Sequence, residues 1–254
     1  MKNIFIGIFF IILFAGCSKE KYFGGPNYYQ DGFEAYAEKA DMLLPDDVLW
    51  SYTQITKTEN SISIDTANVH SGNNSLKFVS AKSTEGALSK CSIAKQQMAF
   101  WEGETMRVSA WYYLQGTQDA EWLFLFDLEE QAPVGAGPGM RLALVKNQLR
   151  VEYKFNERDI LQPTGQEIDF PRDQWVELIW EVKLSKKNKG TVKLWQGGQL
   201  IIDTQNNRTL PKDILYSLQG TKGMYSSVEI GITANSRDND LTVWVDDVRF
   251  EKAN

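Results

Sequence analysis

The chain has 254 residues and a formal net charge of −6, with 27 basic and 33 acidic side chains. This acidic balance argues against a general nucleic-acid-binding protein, whose surface needs a basic patch. The length suffices for one large domain with its own core. Only two cysteines occur, Cys17 and Cys91, so a framework of several disulfides is excluded.

The N-terminus is an apolar segment that ends abruptly at a cysteine. Residues 4–16 are mostly apolar, Lys2 precedes them, and the charged stretch SKEK follows Cys17. A helix of that length would be about 20 Å long, which is shorter than the ~30 Å hydrocarbon core of a bilayer. The segment is therefore predicted to be a signal peptide rather than a spanning helix.

The residues around this boundary, LFAGC at 13–17, resemble the lipobox of bacterial lipoproteins. That resemblance implies cleavage before Cys17 and acylation of its thiol and amine, and the alternative is an ordinary signal peptide with an unrelated cysteine. The charged stretch resembles export signals of surface lipoproteins, which implies a protein that is lipid-anchored in the outer membrane at the cell surface. We expect a signal peptide over 1–16, a lipidated tether over 17–30 and one domain over 31–254.

Apolar and polar residues alternate through most of the chain beyond residue 60, which is the pattern of half-buried β-strands. Residues 122–126 are apolar on both faces and predict a strand covered on both sides, and the glycine-rich stretch 135–139 predicts a flexible loop. Helices are predicted only over 33–43 and 210–220. This composition predicts an all-β domain of two packed sheets. The predicted strands span 61–66, 75–81, 106–114, 121–129, 140–146, 148–155, 175–184, 190–196, 199–203, 227–234 and 241–250.

Two family resemblances refine this fold class to a two-sheet jelly-roll β-sandwich of the concanavalin A-like kind. The segment QWVELIWEVKLSKKNKGTVKLWQGGQLIIDTQN at 174–206 resembles a strand and hairpin of the heparin lyase I-like polysaccharide lyases. GMYSS at 223–227 and LTVWVDDVRF at 241–250 resemble the last strands of that family. GFE at 32–34, HSGNNSLKF at 70–78 and VDDVRF resemble stretches of jelly-roll carbohydrate-binding modules.

The lyase resemblance implies a catalytic histidine on an inner strand and a late Lys-x-Gly-x-Tyr motif. Alignment on Gly223 and Tyr225 places Thr221 where the lysine belongs, and Lys222 lies one position along the strand. His70 is the only histidine, and it lies in a turn that enters a strand. It is interpreted either as a base or as a residue that holds the turn. These departures favour a protein that binds without catalysing.

Retaining β-glucanases of the laminarinase type share this sandwich and carry Glu-x-Asp-x-Glu on one strand, so that two carboxylates project from one face. The matching positions here are Leu125, Asp127 and Glu129. Leucine in place of the nucleophile argues against this chemistry. Asp127, Glu129 and Glu130 are then expected to end a strand in solvent.

The resemblance to carbohydrate-binding modules implies a structural calcium ion between the first and last strands. Calcium prefers hard oxygen ligands. The matching carboxylates are Glu34 and Asp246, with Asp247 as the alternative to the latter, and Asn73 would add a loop oxygen. Under the other interpretation, the two aspartates merely end an edge strand.

In a concanavalin A-like sandwich the concave sheet holds the ligand, and the polar side of residues 148–155 is the best candidate for that surface. Arginine offers a planar fork suited to a carboxylate, and aromatic faces stack on sugar rings. The alternative is an ordinary solvated face with cross-strand ion pairs. The predicted carbohydrate-binding residues are Arg150, Glu152, Lys154, Arg141 at the rim, Trp111 and Tyr113 as a stacking platform, and Tyr225 from the lyase-like motif.

The leading hypothesis is a surface-anchored lipoprotein that binds polysaccharide through a lectin-like sandwich without catalysis, and a structural calcium ion is a separate expectation. A second hypothesis is a polysaccharide lyase or glycoside hydrolase that acts on an acidic or neutral glycan. A third is a structural or assembly protein of the envelope with protein partners. The predicted partners are a polysaccharide and the membrane, with no nucleic acid.

Overall fold

A computed structural model describes residues 25–43, 49–118, 120–132, 135–212 and 222–253. The predicted signal peptide and Cys17 lie outside these residues, as does most of the second predicted helix. Within the described part of the chain, no helix has the length and hydropathy needed to cross a membrane.

Strands make up nearly all of the regular structure. A single 3₁₀ turn, Lys39–Met42, is the only described helix. The strands are β1 (Tyr28–Asp31), β2 (Tyr52–Ile55), β3 (Ser61–Asp65), β4 (Ser75–Ser80), β5 (Ser89–Lys95), β6 (Phe100–Trp101), β7 (Thr105–Leu114), β8 (Trp122–Ala132), β9 (Gly135–Val145), β10 (Gln148–Tyr153), β11 (Trp175–Lys183), β12 (Gly190–Gln196), β13 (Gln199–Asn207), β14 (Met224–Tyr225), β15 (Ser227–Asn235) and β16 (Leu241–Ala253).

Two large antiparallel sheets form a jelly-roll sandwich, which confirms the predicted fold class. One sheet has eight strands in the order β13-β12-β11-β7-β16-β4-β3, with β1 also paired to β16. The other has six strands in the order β10-β9-β8-β15-β5-β2, and β14 pairs with β6 in a small third sheet. The core lies between the inner faces, where Phe78, Tyr112, Phe126 and Trp180 are fully buried.

All eleven predicted strands are present, but several other elements differ from the prediction. Residues 28–30, assigned to the tether, belong to β1 and pair with β16. The glycine-rich stretch 135–139 begins β9 instead of forming a loop. The predicted helix over 33–43 is reduced to the 3₁₀ turn, because Asp31 fixes this segment by accepting hydrogen bonds from the Phe33 amide (2.8 Å) and the Tyr36 hydroxyl (2.8 Å).

A β-bulge in β8 decides which of its side chains face outward from the sandwich. The pairing of β8 with β9 shifts register between Phe124 and Phe126. An extra residue in a strand exchanges its two faces, because side chains alternate with a period of two. Consequently Phe124 before the bulge and Asp127 after it point to the same outer face, whereas Leu123 and Phe126 are both buried in the core.

The other sheet supports this bulge through the core. The Tyr112 hydroxyl in β7 donates to the Leu125 carbonyl (2.9 Å) and accepts from the Gly231 amide (3.3 Å) in β15. Gly231 has a φ of +108°, and a Cβ there would lie 2.5 Å from a ring carbon of Phe78. Only glycine therefore fits beside the bulge without displacing a core side chain.

Candidate functional site

The outer face of the six-stranded sheet carries a row of polar side chains from adjacent strands. In register across the sheet, Glu229 of β15 lies opposite Asp127 of β8, which lies opposite Arg141 of β9 and then Glu152 of β10. On the other side of Glu229 the row continues through Ala94 of β5 to Tyr52 of β2. Antiparallel pairing thus brings together groups that are up to about 180 residues apart in sequence.

At the centre of this row an ammonium group lies between carboxylates. Lys154 Nζ pairs with Glu129 Oε1 and lies 3.5 Å from Asp127 Oδ1. Although they are on the outer face, Asp127 and Glu129 are each only 4% exposed and Glu229 is 2% exposed. Charged side chains are rarely buried to this degree unless they are paired, so the arrangement is a specific one. We call Asp127, Glu129, Lys154 and Glu229 the central cluster.

Glu229 is the titratable group of this cluster that its surroundings perturb most clearly. Burial, together with the nearby charge of Asp127, raises the pKa of Glu229 from 4.5 to about 7. The Ser92 hydroxyl donates to Glu229 Oε1 and opposes this shift. Tyr52, at the edge of the row, has its pKa raised by burial and by the charge of Glu229. Such perturbed groups are concentrated at functional sites.

Two buried polar atoms of the row make no hydrogen bond to the described residues, namely Asp127 Oδ1 and Arg141 Nε. Arg141 Nε lies 3.5 Å from Glu152 Oε2, which is an ion pair without a hydrogen bond. Glu152 instead accepts a hydrogen bond from Arg150 Nε at 2.8 Å. Because buried polar groups normally find partners, the hydrogen bonding of this row is incomplete among the described residues.

Beside the charged row, the start of β8 presents two aromatic rings, which we call the aromatic end. Trp122 and Phe124 stack with ring centroids 4.7 Å apart and an angle of 23° between their planes. The Arg141 guanidinium lies 4.1 Å from the centroid of the Phe124 ring. Both rings are half-buried and share the outer face with the row. The sequence prediction that residues 122–126 are covered on both sides is therefore wrong for these two residues.

Four of the seven predicted carbohydrate-binding residues meet on this face: Arg141, Arg150, Glu152 and Lys154. Their placement follows from the regular alternation of β10, in which Leu149 and Val151 fill the core. The expectation that Asp127, Glu129 and Glu130 end a strand in solvent is wrong, since all three are buried.

The other three predicted residues lie elsewhere. Trp111 and Tyr113 project from the outer face of the eight-stranded sheet, where His70 stacks on Trp111 with ring centroids 3.7 Å apart. Strand alternation separates the two faces of β7, but it does not tell which sheet β7 joins. Tyr225 is fully buried, and its hydroxyl donates to the Thr209 carbonyl at 2.6 Å. It is a core residue rather than a surface one.

His70 lies on the opposite side of the sandwich from the central cluster. Its Nδ1 is 2.7 Å from Asp247 Oδ2, and its backbone amide donates to Asp246 Oδ2 at 3.0 Å. His70 is therefore not part of the central cluster, and these contacts are those expected of a residue that holds the turn.

The predicted calcium residues converge in the structure. The pairing of β16 with β7 shifts register between Asp246 and Arg249, and Asp247 adopts a φ of +47°. Glu34 and Asp247 line one surface depression, and Glu34 accepts hydrogen bonds from the Asn73 amide (2.9 Å) and the Asn74 amide (3.1 Å). Burial and the charge of Asp247 raise the pKa of Asp246 to about 6. Carboxylate oxygens are the hard ligands that a calcium ion prefers.

Sequence reasoning missed Glu229, Tyr52, Trp122 and Phe124. The signal for Glu229 was a lone carboxylate inside the apolar run VEIGITA, and such a residue in a buried strand needs a partner. No comparable signal identified Tyr52, because β2 is short and lacks alternation.

Comparisons with solved structures agree on the architecture. An endo-β-1,4-glucuronan lyase from the fungus Trichoderma reesei matches with a TM-score of 0.66 at 14% identity, over 91% of this chain and 96% of that one. The cellulose-induced protein Cip1 matches with a TM-score of 0.62 at 19% identity, over 87% and 96% of the two chains. The alginate lyase Aly36B matches with a TM-score of 0.59 at 9% identity, over 91% and 99%. These likenesses show the fold.

A comparison at the family level goes further. No curated protein matches the chain in sequence. However, the family model for polysaccharide lyases matches residues 47–249, which is most of the chain. The expectation of a protein that binds polysaccharide without catalysis, which depended on the missing histidine and the displaced lysine, is contradicted by this match. The chain belongs to the polysaccharide lyase family.

Proposed function

We propose that the protein cleaves an acidic polysaccharide by β-elimination on the outer face of its six-stranded sheet. The observation that carries the proposal is the central cluster, in which a lysine and three buried carboxylates meet on one face. Its location in a chain of the polysaccharide lyase family supports a catalytic role.

Elimination requires three functions of the site. The negative charge of the uronate carboxylate must be neutralised, a base must remove the C5 proton, and an acid must protonate the leaving oxygen. The electron pair of the C5–H bond then forms the C4–C5 double bond as the C4–O bond breaks. No covalent intermediate with the protein is needed.

We assign these functions by position and charge. Lys154 supplies the cation, because its ammonium lies at the centre of the cluster. Asp127 is the candidate base, since its carboxylate lies beside the Lys154 ammonium and in the middle of the row, opposite Arg141. Glu229, opposite Asp127 on the adjacent strand, is the candidate acid because its raised pKa leaves a substantial fraction of it protonated near neutral pH. A pair of carboxylates with different environments suits opposite proton-transfer roles.

A uronate polymer is the substrate class that best fits this surface. Arg141, Arg150 and Lys154 provide three cationic side chains on the outer face, although the protein is acidic as a whole. Guanidinium groups bind carboxylates through paired hydrogen bonds. Two structural relatives are lyases named for glucuronan and alginate, which are uronate polymers.

The test is the appearance of unsaturated uronate products from glucuronan and alginate, followed by ultraviolet absorbance. Asp127→Asn should abolish product formation. Asp65→Asn is the matched control, since Asp65 also pairs with a lysine (Lys77, 3.7 Å) but lies on the other sheet. Equal rates for parent and Asp127→Asn would refute the assigned role.

Glycoside hydrolysis is a second candidate that one observation favours. Asp127 and Glu229 are directly opposed carboxylates on adjacent strands, and hydrolysis also uses two carboxyl groups that flank the scissile bond. New reducing ends without unsaturated products would indicate hydrolysis rather than elimination.

We also propose that Cys17 is acylated and anchors the protein in the outer membrane at the cell surface. The proposal is supported by the lipobox-like residues before Cys17. Multiple acyl chains give durable attachment, at about 0.8 kcal/mol for each buried methylene. Cys17→Ser should move the protein from the detergent phase to the aqueous phase on phase separation, and unchanged partitioning would contradict the proposal.

A structural calcium ion is proposed at the bulge of β16. Asp246 and Asp247 would hold it, with Glu34 and the loop oxygens near Asn73 completing the site. The ion would offset the mutual repulsion of these carboxylates and fasten the loops around residues 34 and 73 to the C-terminal strand. It has no role in the elimination, because the site lies on the eight-stranded sheet.

A further inference from the structure

The aromatic end is placed to meet the same bound chain as the central cluster. Phe124 and Asp127 share one strand and one face, three residues apart. That separation is about 10 Å along a strand. A polysaccharide chain bound at the central cluster would therefore extend over the aromatic rings.

Next to these rings, a small apolar side chain and two arginines lie on the same face of the sheet. In register, Phe124 lies opposite Ala143, and Ala143 lies opposite Arg150. Ala143 is fully buried, so the partly exposed Phe124 ring and Arg150 side chain form the surface at this position. The Arg141 guanidinium and the Trp122 ring both lie against the Phe124 ring, which leaves Trp122 as the ring available to a sugar.

The two arginines are held in place by a single acid. Glu152 accepts a hydrogen bond from Arg150 Nε and lies 3.5 Å from Arg141 Nε. One carboxylate cannot neutralise two guanidinium groups, so the group carries a net positive charge. The buried Arg141 Nε also lacks a hydrogen-bond partner among the described residues.

We propose that Trp122, Phe124, Arg141 and Arg150 form a substrate subsite beside the cleavage point, which stacks a pyranose ring on Trp122, supported by Phe124, and binds the carboxylate of that sugar through the arginines. The inference relies on the proposed function for the identity of the ligand, an acidic polysaccharide. It adds a binding position that contributes to affinity and to the selection of charged over neutral chains.

The experiment measures binding to the catalytically impaired Asp127→Asn protein by calorimetry. The probes are a glucuronan hexasaccharide and the same hexasaccharide with its carboxyl groups reduced. In this background, Trp122→Ala should weaken binding of both probes by roughly tenfold or more, the scale of losing a stacking or charge-assisted contact. Arg150→Gln should weaken binding of the acidic probe alone.

Controls separate a binding role from a structural one. Trp175→Ala, which removes a half-exposed tryptophan from the opposite sheet, should leave both affinities unchanged. Trp122→Phe retains a ring and should recover part of the affinity. In the parent enzyme, Trp122→Ala should raise KM for long chains and leave kcat nearly unchanged.

The outcomes distinguish this subsite from the lyase proposal. Equal affinities for Trp122→Ala and its background would overturn the subsite even if the enzyme is an active lyase. Loss of affinity in Trp122→Ala, with no unsaturated products from the parent, would support the subsite and refute the elimination. If neither probe binds to the Asp127→Asn protein or to the parent, the subsite is refuted.

Discussion

The hydroxyl of Tyr112 in the eight-stranded sheet donates a 2.9 Å hydrogen bond to the carbonyl of Leu125 in the six-stranded sheet. This contact crosses the core and reaches the backbone at the bulge of β8. Burial raises the pKa of Tyr112 far above its ordinary value, so the hydroxyl stays protonated. One core side chain therefore satisfies the backbone groups that the bulge leaves unpaired, and the bulge in turn directs Asp127 outward.

Tyr112→Phe should destabilise the protein and lower its activity together. Loss of the hydroxyl leaves the Leu125 carbonyl and the Gly231 amide without their buried partner, at a cost of about 1–3 kcal/mol. The free energy of unfolding in urea measures this effect. Tyr113→Phe, on the other face of the same strand, is the matched control and should change it by less than about 0.5 kcal/mol.

Gly231→Ala tests the close approach at the same bulge. The new methyl would collide with the Phe78 ring, and overpacking of a core typically costs about 1–3 kcal/mol in addition to the strain of the positive φ. Gly86 also has a positive φ (+74°), but nothing lies within 4 Å of its virtual Cβ. Gly86→Ala should therefore lower the thermal midpoint by clearly less than Gly231→Ala does. Equal losses would show that the ring contact is unimportant.

Lys154→Met should abolish activity and reduce stability. The substitution leaves the buried carboxylates of Asp127 and Glu129 without their cation. We expect the free energy of unfolding to fall by about 1–3 kcal/mol, because the lysine is itself partly exposed. Adding Glu129→Gln should restore much of the stability by removing one of the two unpaired charges. The double variant should remain inactive, which separates catalysis from stability. Recovery of activity in it would contradict the role of Lys154.

Because of Glu229, the free energy of unfolding should fall as the pH rises. Its folded pKa of about 7 lies above its ordinary 4.5, so the folded state binds more protons between these two values. The stabilising contribution is complete below about pH 4.5 and is lost as the pH rises through about 7, with a total of a few kcal/mol. Glu229→Gln should remove this dependence and be more stable than the parent at pH 8. Unfolding curves at several pH values would test it, and parallel profiles for parent and variant would contradict it.

Removal of calcium should lower the thermal midpoint of the parent. An ion bound only by the folded state stabilises it by mass action, and a hundredfold excess over Kd contributes about 2.7 kcal/mol. A chelator should therefore shift the midpoint of the parent but not that of Asp247→Asn. Added magnesium should not reverse the shift, because it prefers a smaller octahedral site. Insensitivity of the parent to the chelator would end the calcium proposal.

The sequence predicts this fold well where strands alternate without interruption. In β10 the period of two correctly separates Leu149 and Val151 from Arg150 and Glu152, and half of the candidate site follows from that strand. In β8 strict alternation predicts that Trp122 shares a face with Phe126. The bulge exchanges the two faces, so Trp122 instead shares its face with Asp127. A bulge depends on partners in other strands, here Tyr112 and Gly231, and has no local pattern of its own.

Other parts of the site depend on long-range pairing that a linear pattern does not contain. All nine residues of β15 are buried, so Glu229 shows no alternation that would mark it as outward-facing. Trp111 and Tyr113 lie on the predicted side of β7. However, β7 pairs with β11 and β16 and so belongs to the eight-stranded sheet, away from the central cluster. Tyr225 was inferred from a short motif, and burial in the core gives this tyrosine a different role.

The pairing of β1 with β16 makes the beginning and the end of the domain neighbours. Tyr28 lies opposite Glu251, so a short peptide could join the C-terminal end of β16 to the N-terminal end of β1. The backbone could then be opened at residues 187–189, an exposed turn between β11 and β12 at the opposite sheet from the central cluster. Such a circularly permuted protein would retain every strand and its pairings. It would allow a second protein to be fused at a chosen point, without placing the added chain across the face proposed to bind polysaccharide.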